Sequence, residues 1–282
     1  MRRLCVLLLM VLPALSAGAQ ELDLERYGIY FEAPDRLVSG NAQFPEARSN
    51  GDLAVVTYQE VTRTGPETGT IHISLITSSD GRTWTPRRRV VGPIPFERES
   101  PPIIFSSQVT SDNRIVLAVS NSATDTQLLV SNNRGITFRE IATISNETTA
   151  VAPRLSQRSD GGMLLFVSQS VGGIQSILYS TSDDLENWSD FRRLEEDPDL
   201  GLNFLPFHTS HGGNEYVVFQ SFNPMAVAGG GAATYQLYLK SSSDGGESWS
   251  PATRITNFTL FGEDEPADSY DNQRPYLTSI GG

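Results

Sequence analysis

The sequence predicts an all-β fold, a β-propeller of four-stranded antiparallel blades. Three observations predict it. A short corner of the form Ser-x-Asp-x-Gly-x-Thr-Trp occurs four times, closing on Trp84, Phe138, Trp188 and Trp249, which are 54, 50 and 61 residues apart. Self-similarity at that period marks a repeat architecture. Each period divides into four short apolar or alternating runs bounded by Gly, Asn and Asp, the pattern of a β-meander. No helical pattern of useful length follows residue 19.

In the first period the strands read Phe44 to Ser49 (A), Leu53 to Gln59 (B), Thr70 to Thr77 (C) and Arg87 to Val91 (D). Ile71, Ile73 and Leu75 alternate with His72 and Ser74, so strand C is half-buried. The B strands of the next periods are Ile115 to Val119, Met163 to Val167 and Tyr216 to Gln220, nearly continuous apolar runs that expect cover on both faces. Their C strands are Gln127 to Val130, Ser176 to Ser180 and Tyr235 to Lys240. Each A strand carries a proline near its start, at Pro45, Pro102, Pro153, Pro206 and Pro275. Four-stranded sheets repeated around an axis make a propeller.

The ends do not balance. Asp35 to Val38 reads as a D strand without its own blade, and Gln273 to Thr278 as a fifth A strand. Six blades of roughly 50–60 residues would need over about 300 residues. The expectation is four full blades plus flanking strands of a six-bladed ring that is truncated, open, or completed by missing C-terminal blades or a protein partner; a four-bladed ring with spare end strands is the alternative.

Residues 1–19 read as an export signal: Arg2 and Arg3, an apolar run from Leu4 to Leu12, and the small-residue cleavage site Ala17-Gly18-Ala19. The run is too short to span a bilayer, so no membrane span is expected, and the propeller domain covers 20–282. The expected location is secreted or periplasmic. Cys5 is the only cysteine and leaves with the signal, so the fold must hold without disulfides. The remaining chain has 19 Lys+Arg against 33 Asp+Glu, a net charge of −14, which excludes a phosphate-tracking, nucleic-acid-binding surface. Lys240 is the sole lysine.

The corner has a structural rationale. The acidic or amide side chain accepts backbone N–H groups, glycine supplies positive φ, and the aromatic packs between sheets. The residues expected in these roles are Asp80 and Trp84, Asn133 and Phe138, Asp183 and Trp188, and Asp244 and Trp249. One acid per corner is too few for calcium, and neither a metal nor a cofactor is expected.

The corner resembles the Asp-box, or bacterial neuraminidase repeat, of the sialidase superfamily, over essentially the whole chain after the signal. The second and fourth copies fit it well; the first has one residue fewer between Asp80 and Gly81, and the third has Leu185 in place of glycine. The resemblance implies a propeller and, with it, an exo-sialidase-type glycoside hydrolase acting on sialylated glycans. The family holds the substrate carboxylate with three arginines, one in an Arg-Ile-Pro motif, and uses a tyrosine nucleophile assisted by glutamate with an aspartate acid/base. Here the first blade reads Gln43-Phe44-Pro45, with Gln43 in the arginine position, and the last A strand reads Gln273-Arg274-Pro275. The alternative is a non-catalytic propeller that binds a carbohydrate or a protein.

In a meander the A–B turns and the corners share one end, and the B–C and D–A loops share the other, where a ligand would converge. Candidate ligand-binding residues are Gln43, Arg48, Tyr58, Glu60, Arg154, Gln169, Gln220 and Arg274. Amides at the B-strand ends suit hydroxyl-rich ligands or neighbouring backbone equally, and arginine suits a carboxylate. Glu60, Glu97 and Glu99 are the candidates for a paired-carboxylate mechanism. His208 and His211 fall near an A–B turn and are expected on the far face.

Overall fold

The computed structural model describes residues 37–38, 40–99, 102–120, 125–145, 150–171, 174–196, 200, 202–222, 235–256, 275 and 277. The chain divides into a unit up to Gly40 and a second unit, Asn41–Gly282, which carries every described strand. The expected signal and Arg274 lie outside the described residues, as does the fifth A strand apart from Pro275 and Leu277.

Four antiparallel four-stranded sheets follow one another. Blade 1 is β1 (Ala42–Ser49), β2 (Ala54–Arg63), β3 (Thr68–Ser78) and β4 (Arg88–Glu97). Blade 2 is β5 (Phe105–Val109), β6 (Ile115–Val119), β7 (Asp125–Ser131) and β8 (Arg139–Ser145). Blade 3 is β9 (Ala150–Gln157), β10 (Met163–Val171), β11 (Ile174–Ser182) and β12 (Arg192–Arg193). Blade 4 is β13 (Leu202–His211), β14 (Asn214–Phe222), β15 (Tyr235–Ser242) and β16 (Thr253–Arg254). In every blade the strands pair in chain order, and one parallel bridge, Gln175 to Leu202, joins blades 3 and 4. The first strands touch in succession, β1 to β5, β5 to β9 and β9 to β13, so they form the inner wall. The sequence expectation of an all-β propeller of four-stranded blades is met; the described sheets do not close into a ring.

The B strands explain the stacking. Alternate residues of each go to opposite neighbours, because side chains of a strand alternate between faces. Val55 and Val61 meet Ile115, Leu117 and Val119 in the first seam. Val116 and Ala118 then meet Met163, Leu165 and Val167 in the second, and Leu164 and Phe166 meet Val217 and Phe219 in the third. Burial of such side chains contributes roughly 1.5–3 kcal/mol each, which is what holds blade to blade without disulfides.

The corners complete these seams. Phe138 packs on the first, Trp188 on the second and Trp249 on the third, so each aromatic is clamped against the preceding blade. Trp249 makes tilted and edge contacts with Phe166 and Tyr179 at 6.4 and 6.0 Å. Within the corners the carboxylates bond their own turns. Asp80 Oδ1 accepts from the Arg82 and Thr83 amides at 2.8 and 2.7 Å, and Asp244 Oδ1 from the Ser248 amide at 2.9 Å. Asn133 Oδ1 does the same for Thr137 at 2.9 Å. These bonds lower the Asp80 carboxyl well below its usual range and bring that of Asp244 to about 2, the Ser248 hydroxyl contributing most at Asp244.

The third corner corrects the expectation. Its turn acceptor is Asp184, not Asp183: Asp184 Oδ1 receives the Glu186 and Asn187 amides at 2.9 and 2.7 Å. Asp183 instead pairs with the buried Arg158 guanidinium, which also donates to Gly245 O at 3.2 Å in the fourth corner. The corner is the short form, like the first, so the frame shifts by one. Asp184→Ala is expected to lower the melting temperature more than Asp183→Ala, since Arg158 keeps Asp160 and Gly245 when Asp183 is lost. Thermal unfolding of the two variants decides it.

Leu185 occupies the place that Gly81 fills in the first corner, with φ of 72° against 70°. Its side chain is buried in the second seam. A left-handed leucine carries about 1–2 kcal/mol of strain, whereas truncating a buried leucine costs about 2–5 kcal/mol. Burial wins, so Leu185→Gly is expected to destabilise by about 1–3 kcal/mol, less than the same change at the buried, unstrained Leu165. Chemical denaturation of both measures the difference.

Contacts between the turns show that one end of the blades holds both A–B turns and corners. Asn50 Nδ2, in the first A–B turn, donates to Thr110 O at 2.7 Å in the second, and Arg158, in the third A–B turn, donates to Gly245 O of the fourth corner at 3.2 Å. The opposite end is formed by the starts of the inner strands and the ends of the B strands.

Candidate functional site

Three of the four inner strands contain the same backbone device. Phe44, Ala152 and Leu205, each followed by proline, have φ of 51°, 51° and 48°. At each the ladder slips, between Gln43 and Glu46, between Val151 and Arg154, and between Phe204 and Phe207. A positive φ at a non-glycine residue costs of order 1–3 kcal/mol. A bulge of this kind bends the strand and re-aims the next side chain. That side chain is Glu46 in blade 1, Arg154 in blade 3 and Phe207 in blade 4.

Glu46 and Arg154 therefore meet. The Glu46 carboxylate is 7% exposed and pairs closely with Nη1 of Arg154, while Arg48 Nη2 lies 3.8 Å from it. Blade 2 supplies the remaining donors: the Ser107 amide at 2.8 Å, the Ser107 hydroxyl at 3.3 Å and the Ser106 hydroxyl at 3.2 Å. Arg48 Nε also donates to Ser107 O at 3.0 Å, and its Nη1 to Ala47 O at 3.2 Å. The cluster thus joins the inner strands of blades 1, 2 and 3. Glu46, Arg48 and Arg154 sum to a charge of +1, in a chain whose formal net charge is −12. The Arg48 and Arg154 side chains are a quarter and a fifth exposed. A held guanidinium with free N–H groups is suited to a carboxylate or to sugar hydroxyls, because its fork is planar and its orientation is fixed before the ligand arrives.

Of the residues expected from sequence, Arg48 and Arg154 are brought together here. Glu46 is the residue the sequence reading missed, although Pro45-Glu46 and Pro153-Arg154 stand at matching places of the repeat. Gln43 pairs with Gln59 just ahead of the first bulge.

A second group lies on blade 1. Glu60 accepts both Nε and Nη2 of Arg89, at 3.0 and 2.8 Å, with Arg87 Nη1 at 3.4 Å from its other oxygen. Burial raises the Glu60 carboxyl, but the Ser74 hydroxyl and the two arginines outweigh it and leave the group below its ordinary value. Tyr58 points to the same face of β2, is fully buried, and its hydroxyl has no hydrogen-bond partner. Burial first, and the Glu60 charge second, raise the phenol above its usual range.

The remaining residues are apart. Glu97 ends the outermost strand β4 and Glu99 follows it, both exposed, whereas Glu60 lies on β2 held by arginines; the structure does not bring the three together. Gln169 and Gln220 are buried on β10 and β14, on faces turned to different neighbours. The B-strand amide of blade 1, Gln59, clamps blade 2, donating to Pro102 O at 3.0 Å and accepting from the Ile104 amide at 2.9 Å. Among the described residues no group of three metal-ligating side chains assembles. No described helix is long and apolar enough to cross a membrane.

No protein-family model matches the chain, and neither does any curated protein sequence. Solved structures do resemble it. An alpha-L-arabinanase of Penicillium chrysogenum, solved with arabinobiose, superposes with a TM-score of 0.54 at 18% identity, over 76% of this chain and 67% of that one. A protein of unknown function from Dyadobacter fermentans gives 0.52 at 15%, over 76% and 69%. An ulvan lyase, from a new family of polysaccharide lyases, gives 0.51 at 13%, over 77% and 57%. At these identities the likeness is one of fold. The chain has a propeller fold.

Proposed function

We propose that this chain is an exported, glycan-processing propeller whose ligand seats on the inner strands, against Arg154 and Arg48. The observation that carries the reading is the pair of strained Xaa-Pro bulges that turn Glu46 and Arg154 onto one point. The bulge recurs on three inner strands, and at two of them it delivers complementary charges to one point of the wall, which supports a site built there. Glycan-acting enzymes of the same fold support the substrate class. The finer reading is exo-sialidase-type hydrolysis. The sugar carboxylate would lie on the N–H groups of Arg154 that Glu46 does not occupy, in keeping with the Asp-box resemblance.

A non-catalytic, carbohydrate-binding propeller is the second reading. It is favoured by Gln43 in the expected arginine position and by Arg48, whose Nε and Nη1 already bond backbone carbonyls. Incubation of the full chain with a fluorogenic sialoside, alongside binding to an array of acidic and neutral glycans, separates the two. Release that falls at least tenfold in Arg154→Ala is expected of the enzyme. Array binding without release supports the second reading. Absence of both across pH 4–8 overturns the glycan assignment.

A further inference from the structure

At the turn-bearing end of the inner wall, blades 3 and 4 share a second polar cluster that the proposed glycan site does not use. His208, on β13, has its imidazole only 1% exposed, and Glu215, on β14, is wholly buried. His208 Nε2 lies 2.8 Å from Glu215 Oε2, and His208 Nδ1 lies 2.7 Å from the hydroxyl oxygen of Ser156 on β9. The carboxylate is fixed by three further donors. The Ser159 amide and hydroxyl bond Oε1 at 2.9 and 2.7 Å, and the Ser210 hydroxyl bonds Oε2 at 2.5 Å. Phe166 packs beside the imidazole, ring centroids 6.1 Å apart, and holds its plane.

The protons follow from the chemistry. An ionised carboxylate only accepts, so Nε2 carries the imidazole hydrogen and donates it to Glu215. In the neutral ring Nδ1 is then the acceptor, and the Ser156 hydroxyl must be the donor. That is a nucleophile, a base and an orienting carboxylate in sequence, each link within the 2.6–3.2 Å that such a relay needs. Ser156 is half-buried, on the innermost strand, and shares a face of β9 with Arg154 two residues away. The base and its orienting acid are fully buried, and the nucleophile's residue is half-buried.

We propose that Ser156, His208 and Glu215 form a serine-hydrolase relay acting on carboxylic esters, such as the O-acyl substituents of a sugar. Ser156 Oγ bonds the acyl carbon as its proton passes to His208 Nδ1. The ester C–O bond then breaks, and the departing alkoxide takes that proton to leave as the alcohol. Water repeats the sequence on the acyl-serine, giving the free acid and restoring Ser156. Glu215 stays ionised throughout and stabilises the imidazolium. The sugar part of the assignment rests on the glycan reading; the serine chemistry stands without it.

The test treats the full chain with a fluorophosphonate probe and locates the adduct by mass spectrometry. A single adduct on Ser156, labelled at least tenfold more slowly in His208→Gln, is the expected result. If His208→Gln does not fold, the wild-type chain decides instead: Ser156 should be labelled at least tenfold faster in the folded chain than in the urea-unfolded chain, where the relay is dispersed. No adduct on Ser156 in folded protein, labelling unaffected by His208→Gln, or equal rates in the folded and unfolded chains overturns the relay. Labelling of Ser156 with no glycan binding would leave the relay in place and remove only its sugar.

Discussion

Glu215→Ala is expected to destabilise the protein by about 3–5 kcal/mol, the range found when one partner of a buried polar pair is removed. The carboxylate is completely buried and accepts four hydrogen bonds, two of them from the blade 3 turn residue Ser159. Alanine leaves the buried imidazole N–H without an acceptor, at about 1–3 kcal/mol, and also removes the acceptor of the partly buried Ser159 amide and of the Ser159 and Ser210 hydroxyls. Relaxation around the cavity keeps the sum from being additive. The pH dependence gives an independent reading. Burial raises the Glu215 carboxyl, but the bonds from His208, Ser159 and Ser210 outweigh it and hold it at about 2. A carboxyl lowered from 4.5 in the folded state stabilises fully above pH 4.5, and that stability is lost as pH falls through about 2. Wild-type protein should therefore lose stability across that window, and Glu215→Gln should show a shallower loss. Urea titrations at several pH values measure it.

Glu46→Ala is the second large effect, about 3 kcal/mol, the lower end of the same range because its arginine partners keep some solvent. Removing Glu46 leaves two guanidiniums facing each other and the Ser107 amide unpaired. The strand bulge loses its reward as well, so the Phe44-Pro45 strain is no longer offset. Glu46→Gln retains an acceptor for Ser107 and should recover part of the stability. It should not recover the orientation of Arg154, since a neutral amide holds guanidinium weakly. Stability and ligand binding are then expected to separate: partial rescue of the first, little of the second.

The architecture was legible because its determinants are local. Corner glycines, turn acids and closing aromatics announce themselves at a fixed period, and continuous apolar B strands announce two-sided cover. The third corner was misread by one residue because Asp183 and Asp184 are adjacent and only the length of the turn tells which one faces it. Leu185 at a positive φ is invisible to any rule that reserves that conformation for glycine. The site was half legible. Arg48 and Arg154 carry the right chemistry on inner strands, but strict alternation along β1 does not allow for the bulge at Phe44-Pro45, which decides where Glu46 points. Glu215 and His208 were hidden for a different reason. They meet across the β13–β14 hairpin, where His208 pairs with Val217 and Ser210 with Glu215, so their contact is a matter of register and not of spacing.

Isothermal titration of wild-type protein and Arg154→Ala with a sialylated oligosaccharide and its neutral, desialylated counterpart tests the inner-wall site most directly. The expected result is binding of the acidic ligand by the wild type, weakened at least tenfold in Arg154→Ala with the fold intact. Equal affinity in both proteins, or no preference for the acidic ligand over the neutral one, would contradict the assignment of that site.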